Sequence, residues 1–184
     1  ATKFDRDGID ERRQRLEASF AALGARRLDL VQLHNLRGAA TLLPMLREEK
    51  AAGRIGHIGI TSSSASQYAE MEAIMHRESL DFIQVDYAVG NRGAEERLLP
   101  LAADRGMAVL VNLPFGRGAQ FRAVGSRPLP AWAAEIDCDS WAQVFLKFVL
   151  GNTAVTCAIP GSTQPAHVED NLGAARGRLP DAAQ

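Results

Sequence analysis

Cysteine is nearly absent: Cys138 and Cys157 are the only two among 184 residues, with no CxxC spacing. That excludes a disulfide scaffold and makes a reducing, cytoplasmic compartment the expectation. The four histidines are scattered and form no metal-ligand cluster, so no metal is expected. Charge of one sign is lacking too. Lys and Arg number 21 against 22 Asp and Glu, for a net charge of −1, which points away from nucleic acid and anionic membrane partners. No run of 18 apolar residues occurs, so no transmembrane helix is expected. No signal-peptide pattern opens the chain, but it starts at Ala1 rather than Met, and a removed leader and a cut fragment leave the same start. No linker or low-complexity stretch interrupts it.

What is present is a strand-helix rhythm. Strand-like runs begin near Leu28, Ile55, Phe82, Ala108 and Val155 and read LDLVQLH, IGHIGIT, FIQVDY, AVLVN and VTCAIP. Each is nearly apolar on both faces, which suits strands buried in a parallel sheet. Ala1–Phe4 opens the chain as the end of a further strand. Counted from Ala1, the starts are spaced 27, 27, 27, 26 and 47 residues. Amphipathic helices fill the gaps. Ile9, Leu16, Phe20 and Leu23 form one buried stripe, with Asp10 and Glu11 at the positive end. Leu42, Leu43 and Leu46 mark a second helix, and Tyr68, Met71 and Met75 a third. Another runs from about Leu98 to Arg105, and Trp141, Val144, Phe145, Phe148 and Val149 give one more. A last helix starts at Pro165 and buries Val168 and Leu172. The excess in the final gap is Gly116 to Cys138, read as a long functional loop.

Repeated βα units fit either an open doubly wound sheet or a barrel. No GxGxxG follows the first strand, which argues against the dinucleotide-binding open sheet. Polar residues also gather at one end of every strand: Lys3, His34, Thr61-Ser62, Gln84, Asn112 and Ser162. In a (β/α)8 barrel that C-terminal end holds the active site. The expectation is an α/β fold, an incomplete TIM (β/α)8 barrel of about six parallel strands with alternating helices. His57, inside a strand, is read as core or barrel-interior packing, and His76 as a helix-end cation suited to the dipole.

Ordered along the chain, LGARRLDLVQLHN, EEKAAGRIGHIGITSSS, IQVDY, ADRGMAVLVNLPFGRG, WAQVFLKFVL and TCAIPGSTQPAHVEDNLGAARGRLP resemble the aldo-keto reductase family over nearly the whole chain. The resemblance implies a single domain, residues 1–184, lacking the family's first two βα units. Those units carry a tyrosine and an aspartate of the catalytic set, neither of which can be placed here. It implies reduction of aldehydes and ketones by hydride from a nicotinamide, with a tyrosine as proton donor and a lysine lowering its pKa. Lys3 resembles that lysine; its alternative is a surface lysine at a frayed terminus. His34 resembles the histidine that orients the substrate carbonyl; its alternative is a satisfied core histidine.

By the same resemblance Thr61, Ser62 and Gln84 hold the nicotinamide carboxamide, although Thr61-Ser62 stands where the family more often has Ser-Asn. Strand-end capping is the other reading of the pair. Asn112 stands where many members stack an aromatic ring. Leu113, Phe115 and Gly116 resemble the cofactor loop, or form a plain turn. Ser162, Thr163, His167, Asp170 and Asn171 resemble the adenosine end of the site, at a helix start that suits an anion. Gly161 and His167 replace the lysine and arginine that grip the 2′-phosphate, so NADPH is the family's default and NADH a live alternative. Trp132 lines the substrate pocket or caps the barrel. The expected partner is a small carbonyl compound. Two rivals stand beside the reductase: a cofactor-binding pseudoenzyme, and a non-functional barrel fragment that self-associates through open sheet edges.

Overall fold

The computed structural model describes residues 2–4 and 9–181; of residues 3, 4 and 9–12 it describes the backbone only. Six strands alternate with helices in chain order. The strands are β1 (Thr2–Phe4), β2 (Leu28–His34), β3 (Ile55–Thr61), β4 (Phe82–Asp86), β5 (Ala108–Asn112) and β6 (Cys157–Ala158). The helices are α1 (Ile9–Leu23), α2 (Ala39–Ala51), α3 (Tyr68–Arg77), α4 (Leu98–Asp104), α5 (Ala119–Val124), α6 (Trp141–Gly151) and α7 (Pro165–Gly173). The chain forms two compact units. One is Ala1–Gln84 with Leu101–Ala108, the other Val85–Pro100 with Val109–Gln184.

In the first unit β1, β2, β3 and the start of β4 pair in parallel, each beside its chain neighbour. Ile, Leu and Val side chains fill both faces of β2 and β3: Leu28, Leu30, Val31, Leu33, Ile55, Ile58 and Ile60 are all buried. Helix α2 packs against both strands through Leu42, Leu43 and Leu46. Two glycines in β3 allow close strand contact. A Cβ on Gly56 would fall 2.8 Å from the Asp29 carbonyl oxygen, and one on Gly59 2.6 Å from that of Phe82.

Asp81 ties this unit together. Its carboxylate accepts from Lys50 Nζ at 2.7 and 2.6 Å and from the Ile58 amide at 2.8 Å. Burial pushes the Asp81 carboxyl up, but the Lys50 ammonium, the Ile58 N–H and nearby His57 together hold it below the usual range. A carboxyl depressed in the fold stabilises above its unfolded value and loses that contribution as pH falls through the folded one. Asp81→Ala is therefore expected to cost about 1–3 kcal/mol at pH 7. The deficit should shrink in thermal melts taken below about pH 4, the ordinary aspartate value. A deficit unchanged at pH 3 would contradict the coupling.

In the second unit β5 and β6 pair in parallel, Leu110 beside Cys157 and Val111 beside Ala158. The strand expected from Val155 is shorter than its apolar run. Thr156 Oγ1 accepts from the Val109 amide at 3.0 Å, so a side chain takes the ladder's place at the strand entry. The stretch from Gly116 to Cys138 is not a bare loop: it holds α5 and the 3-10 segment Ala131–Ile136. Its Ala133, Ile136 and Cys138 form a small core with Val144 of α6, flanked by Trp132 and Trp141.

Some packing expectations are corrected. In α1 Leu16 is buried but Leu23, in the last turn, is 60% exposed; the Ile9, Asp10 and Glu11 side chains lie outside the described residues. Val168 and Leu172 of α7 are exposed rather than buried. Both line an open apolar groove with Leu146, Leu150 and Pro160, so the stripe faces a hollow that no described side chain fills. His57 is exposed, not core. It stands edge-on to Phe82 and 3.8 Å from Asp81. His76 is exposed at the end of α3, 3.8 Å from Glu72.

Candidate functional site

In the first unit, strand register lines up three of the expected residues. His34 pairs with Thr61 and Thr61 with Gln84, so one polar row runs from the last residues of β2 and β3 to β4, where Gln84 stands mid-strand rather than at the expected strand end, because pairing carries β4 on to Asp86. Alternation along a strand puts residues two apart on the same face. One step below, on that same face, lies a second row of Lys3, Gln32, Gly59 and Phe82 by register. The Lys3 side chain is outside the described residues.

His34 is half-buried. After it the backbone turns through two left-handed residues, Asn35 at φ 53° and Leu36 at φ 60°. Such conformations cost a non-glycine residue roughly 1–2 kcal/mol each, and they collect where a turn is fixed by its surroundings. Part of the fixing comes from Gln67, whose Nε2 donates to the Asn35 carbonyl at 3.0 Å. Gln67 Oε1 in turn accepts from Ser62 Oγ at 2.7 Å. Ser62 Oγ also accepts from the Ser64 amide at 3.2 Å. Ser62 is thus engaged in strand-end capping, the alternative noted for it, while Thr61 and Gln84 are buried beside it.

Gln84 was expected from position; its partner was not. Gln32, two residues before His34, is buried and donates from Nε2 to Gln84 Oε1 at 3.1 Å. The Gln32 Oε1 itself is buried without a partner.

In the second unit Asn112 closes β5, and its Oδ1 is also buried and unpartnered. Leu113 follows at φ 50°, and the Gly116 amide donates to the Leu113 carbonyl at 2.8 Å, so Leu113 to Gly116 form a tight turn. That turn places Phe115 at 5.0 Å, centroid to centroid, from Phe121. Both rings line a cavity of about 430 Å³ with Gly161, Ser162, His167, Asp170 and Asn171. Four of the five residues expected at the adenosine end therefore meet around one hollow, and Thr163, exposed nearby, does not line it. Ser162 shapes the entry to α7, its Oγ accepting from the Gln164 amide at 3.1 Å.

Asp170 is held from α6. Ser140 caps that helix by accepting from the Gln143 amide at 3.2 Å. Gln143 Oε1 reaches back to the Asp139 amide at 2.9 Å, close to a capping box. The same two side chains then grip Asp170: Ser140 Oγ donates to Oδ2 at 2.8 Å and Gln143 Nε2 to Oδ1 at 2.7 Å. Neither was singled out beforehand, although the Ser-x-x-Gln spacing was a readable signal.

Trp132 lines a different cavity of this unit, about 600 Å³, with Trp141, Phe148 and Tyr87. The Tyr87 hydroxyl donates to Glu95, and burial together with that carboxylate pushes its pKa far up. A tyrosine so placed is a poor proton donor. Cys138 is buried and its thiol likewise pushed up by burial, which makes it a poor nucleophile. Among the described residues no cluster of three or more His, Cys, Asp or Glu is arranged to hold a metal ion. None of the described helices is long and apolar enough to cross a membrane.

Parallel strands joined by helices, with a row of polar side chains in register across β2, β3 and β4, define a βα-repeat protein. The chain belongs to the aldo/keto reductase family, whose sequence pattern matches residues 2–183. It is 28% identical over 166 residues to an uncharacterised oxidoreductase of Schizosaccharomyces pombe, a match that covers 89% of this chain and 52% of that protein. It is 25% identical over 201 residues to the NADH-specific methylglyoxal reductase of Escherichia coli, covering 92% of this chain and 61% of the relative. The apo aldo-keto reductase of Bacillus halodurans has the same fold: TM-score 0.73 at 22% identity, over 93% of this chain and 64% of that one. The chain thus spans about half to two thirds of the length of the proteins it matches. The α/β fold expected from the strand rhythm is the one found, with the barrel incomplete.

Proposed function

We propose that this chain supplies the cofactor-holding and carbonyl-orienting part of an NAD(P)H-dependent reductase of small aldehydes and ketones, and does not turn over by itself. The observation that carries this reading is the row His34–Thr61–Gln84, three polar residues in continuous register on three adjacent parallel strands.

A bound nicotinamide would supply hydride. The residues present suit such a group. In the first unit Gln84 keeps its Nε2 free of Gln32, a donor for a carboxamide oxygen. In the second, Asn112 Oδ1 is a buried acceptor without a partner. The cavity at Ser162, His167, Asp170 and Asn171 suits an adenosine. His34 donates from one imidazole nitrogen to the substrate carbonyl oxygen, which gains negative charge as reduction proceeds. Lys3 has the catalytic lysine's position by resemblance. Thr163, Leu113 and Gly116 complete the cofactor's surroundings.

Protonation of the nascent alkoxide is the missing step. Of the two tyrosines in the chain, Tyr87 is bound to Glu95, and Tyr68 starts α3 on the helical layer. Loss of general acid help typically costs ~10²–10⁴ in rate. That favours the second reading, a binding protein without chemistry, for this chain alone. Self-association through sheet edges belongs to the same proposal, since an unpaired strand edge invites another copy. The test is calorimetric titration of the chain with NADH and NADPH beside an assay of aldehyde-dependent NAD(P)H oxidation. Binding without turnover is expected. Turnover would refute the binding-only reading, and no binding of either dinucleotide would refute the cofactor reading altogether.

A further inference from the structure

We propose that Gln32 is a positioning residue that fixes which end of the Gln84 amide faces the ligand, and so makes the site select a carbonyl oxygen rather than an N–H group. The proposal rests on the cofactor reading above and names the atom that Gln84 recognises.

Gln32 and Gln84 are 52 residues apart and lie on β2 and β4, with β3 between them. Neighbouring strands stand about 4.8 Å apart, so the two backbones are separated by roughly twice that. A direct bond between the side chains needs an opening in the middle strand. The residue of β3 in register with Gln32 is Gly59, which has no side chain. Its neighbour on β4 is Phe82, and a Cβ on Gly59 would lie 2.6 Å from the Phe82 carbonyl oxygen and 3.0 Å from the Phe82 Cβ. The glycine thus does two things: it lets β4 come close, and it leaves a path for the Gln32 amide to cross.

The polarity of the bond follows from what each amide leaves unmade. Gln32 donates from Nε2, which occupies Gln84 Oε1 and leaves Gln84 Nε2 as the free polar group. Gln32 Oε1 stays buried and unpartnered. Turning both amides over would leave a buried NH2, two donors, unpartnered instead. Orphaned buried donors are rarer than under-satisfied carbonyl oxygens, so the observed sense is the favoured one. With Oε1 turned to Gln32, the end of Gln84 left for a ligand is its NH2, a donor. Its partner in a ligand must be an acceptor, and for a nicotinamide that is the carboxamide oxygen. Gln32 touches no ligand in this scheme; it acts through Gln84.

The test compares two ligands that differ only in the nicotinamide. The full chain, Gln32→Leu, Gln84→Leu and the double variant are titrated with NADH and with ADP-ribose. Each single change keeps the volume but leaves the other amide without its partner, and only the double variant removes both, so a thermal melt of every variant checks that the fold is kept. The Gln32→Leu change is expected to weaken NADH about tenfold, the worth of one oriented hydrogen bond, and to leave ADP-ribose unchanged. In the Gln84→Leu background the same change should have no further effect. Equal weakening of both ligands, or an additive double variant, would overturn the proposal and mark Gln32 as a packing residue. A chain that bound neither ligand would defeat the cofactor reading instead. The amide pair then stands or falls on side-chain NMR: Gln32 NH2 protons protected from exchange, with protection lost in Gln84→Leu, support it, and freely exchanging protons refute it.

Discussion

Replacing Lys147 with methionine is expected to lower the melting temperature by roughly 10 °C, through a loss of about 3–5 kcal/mol. Lys147 lies in the middle of α6 and is fully buried. An ammonium has three donors, and here each meets a backbone carbonyl: Ile136, Arg176 and Arg178, the last at 3.0 Å. Those carbonyls belong to the 3-10 segment before α6 and to the chain after α7. One side chain therefore fixes two irregular segments that lack a ladder of their own. Methionine fills a similar volume and removes the cost of burying a charge, but strands three carbonyls, each worth about 1–3 kcal/mol if water cannot reach it. Arginine should not rescue the change, because a planar fork cannot converge on three carbonyls around one point. Thermal melts of the three proteins decide it. A shift below about 2 °C in the methionine variant would mean that water replaces the ammonium.

The strand rhythm was legible because apolar, β-branched runs recur at nearly constant spacing, and parallel pairing in chain order follows from that. Periodicity identifies an apolar face but not what covers it. Val168 and Leu172 carry a correct helical stripe that turns out to face an open groove. Strand length failed at β6 for a different reason: Thr156 reads as a strand former, yet its hydroxyl replaces a ladder bond. His34 and Thr61 were legible from strand ends, whereas Gln84 joins their row from the middle of β4. Gln32 was visible only as the neighbour of His34, since its partner is remote and its reach depends on a glycine in a third strand. Asp170 was named, but its grip by Ser140 and Gln143 joins two helices, and such a link is not written in local pattern.

Gly161→Lys is expected to tighten NADPH about tenfold while leaving NADH within about twofold, which would locate the adenosine end of the cofactor. The cavity beside α7 is lined by Phe115, Phe121, Ser162, His167, Asp170 and Asn171 among others, and among the described residues by no lysine or arginine. Its one fixed charge is the Asp170 carboxylate, held in place by Ser140 and Gln143. A 2′-phosphate entering there meets a like charge and no permanent cation, which disfavours NADPH relative to NADH. The start of α7 offsets this only in part, because Pro165 in its first turn lacks an N–H. Gly161 is the position at which to add the cation. A Cβ there meets nothing within 4 Å, and its φ is not in the left-handed region, so lysine fits without strain. The gain should be electrostatic and shrink as salt rises from 0.05 to about 0.5 M, where screening shortens the reach of an exposed charge. A preference ratio that stays put in the lysine variant would mean that the 2′-phosphate does not lie in this cavity. The residues around Ser162 and His167 would then be left with a structural role at the start of α7. A ratio that moves with charge and with salt would establish the cavity as the selector between the two dinucleotides.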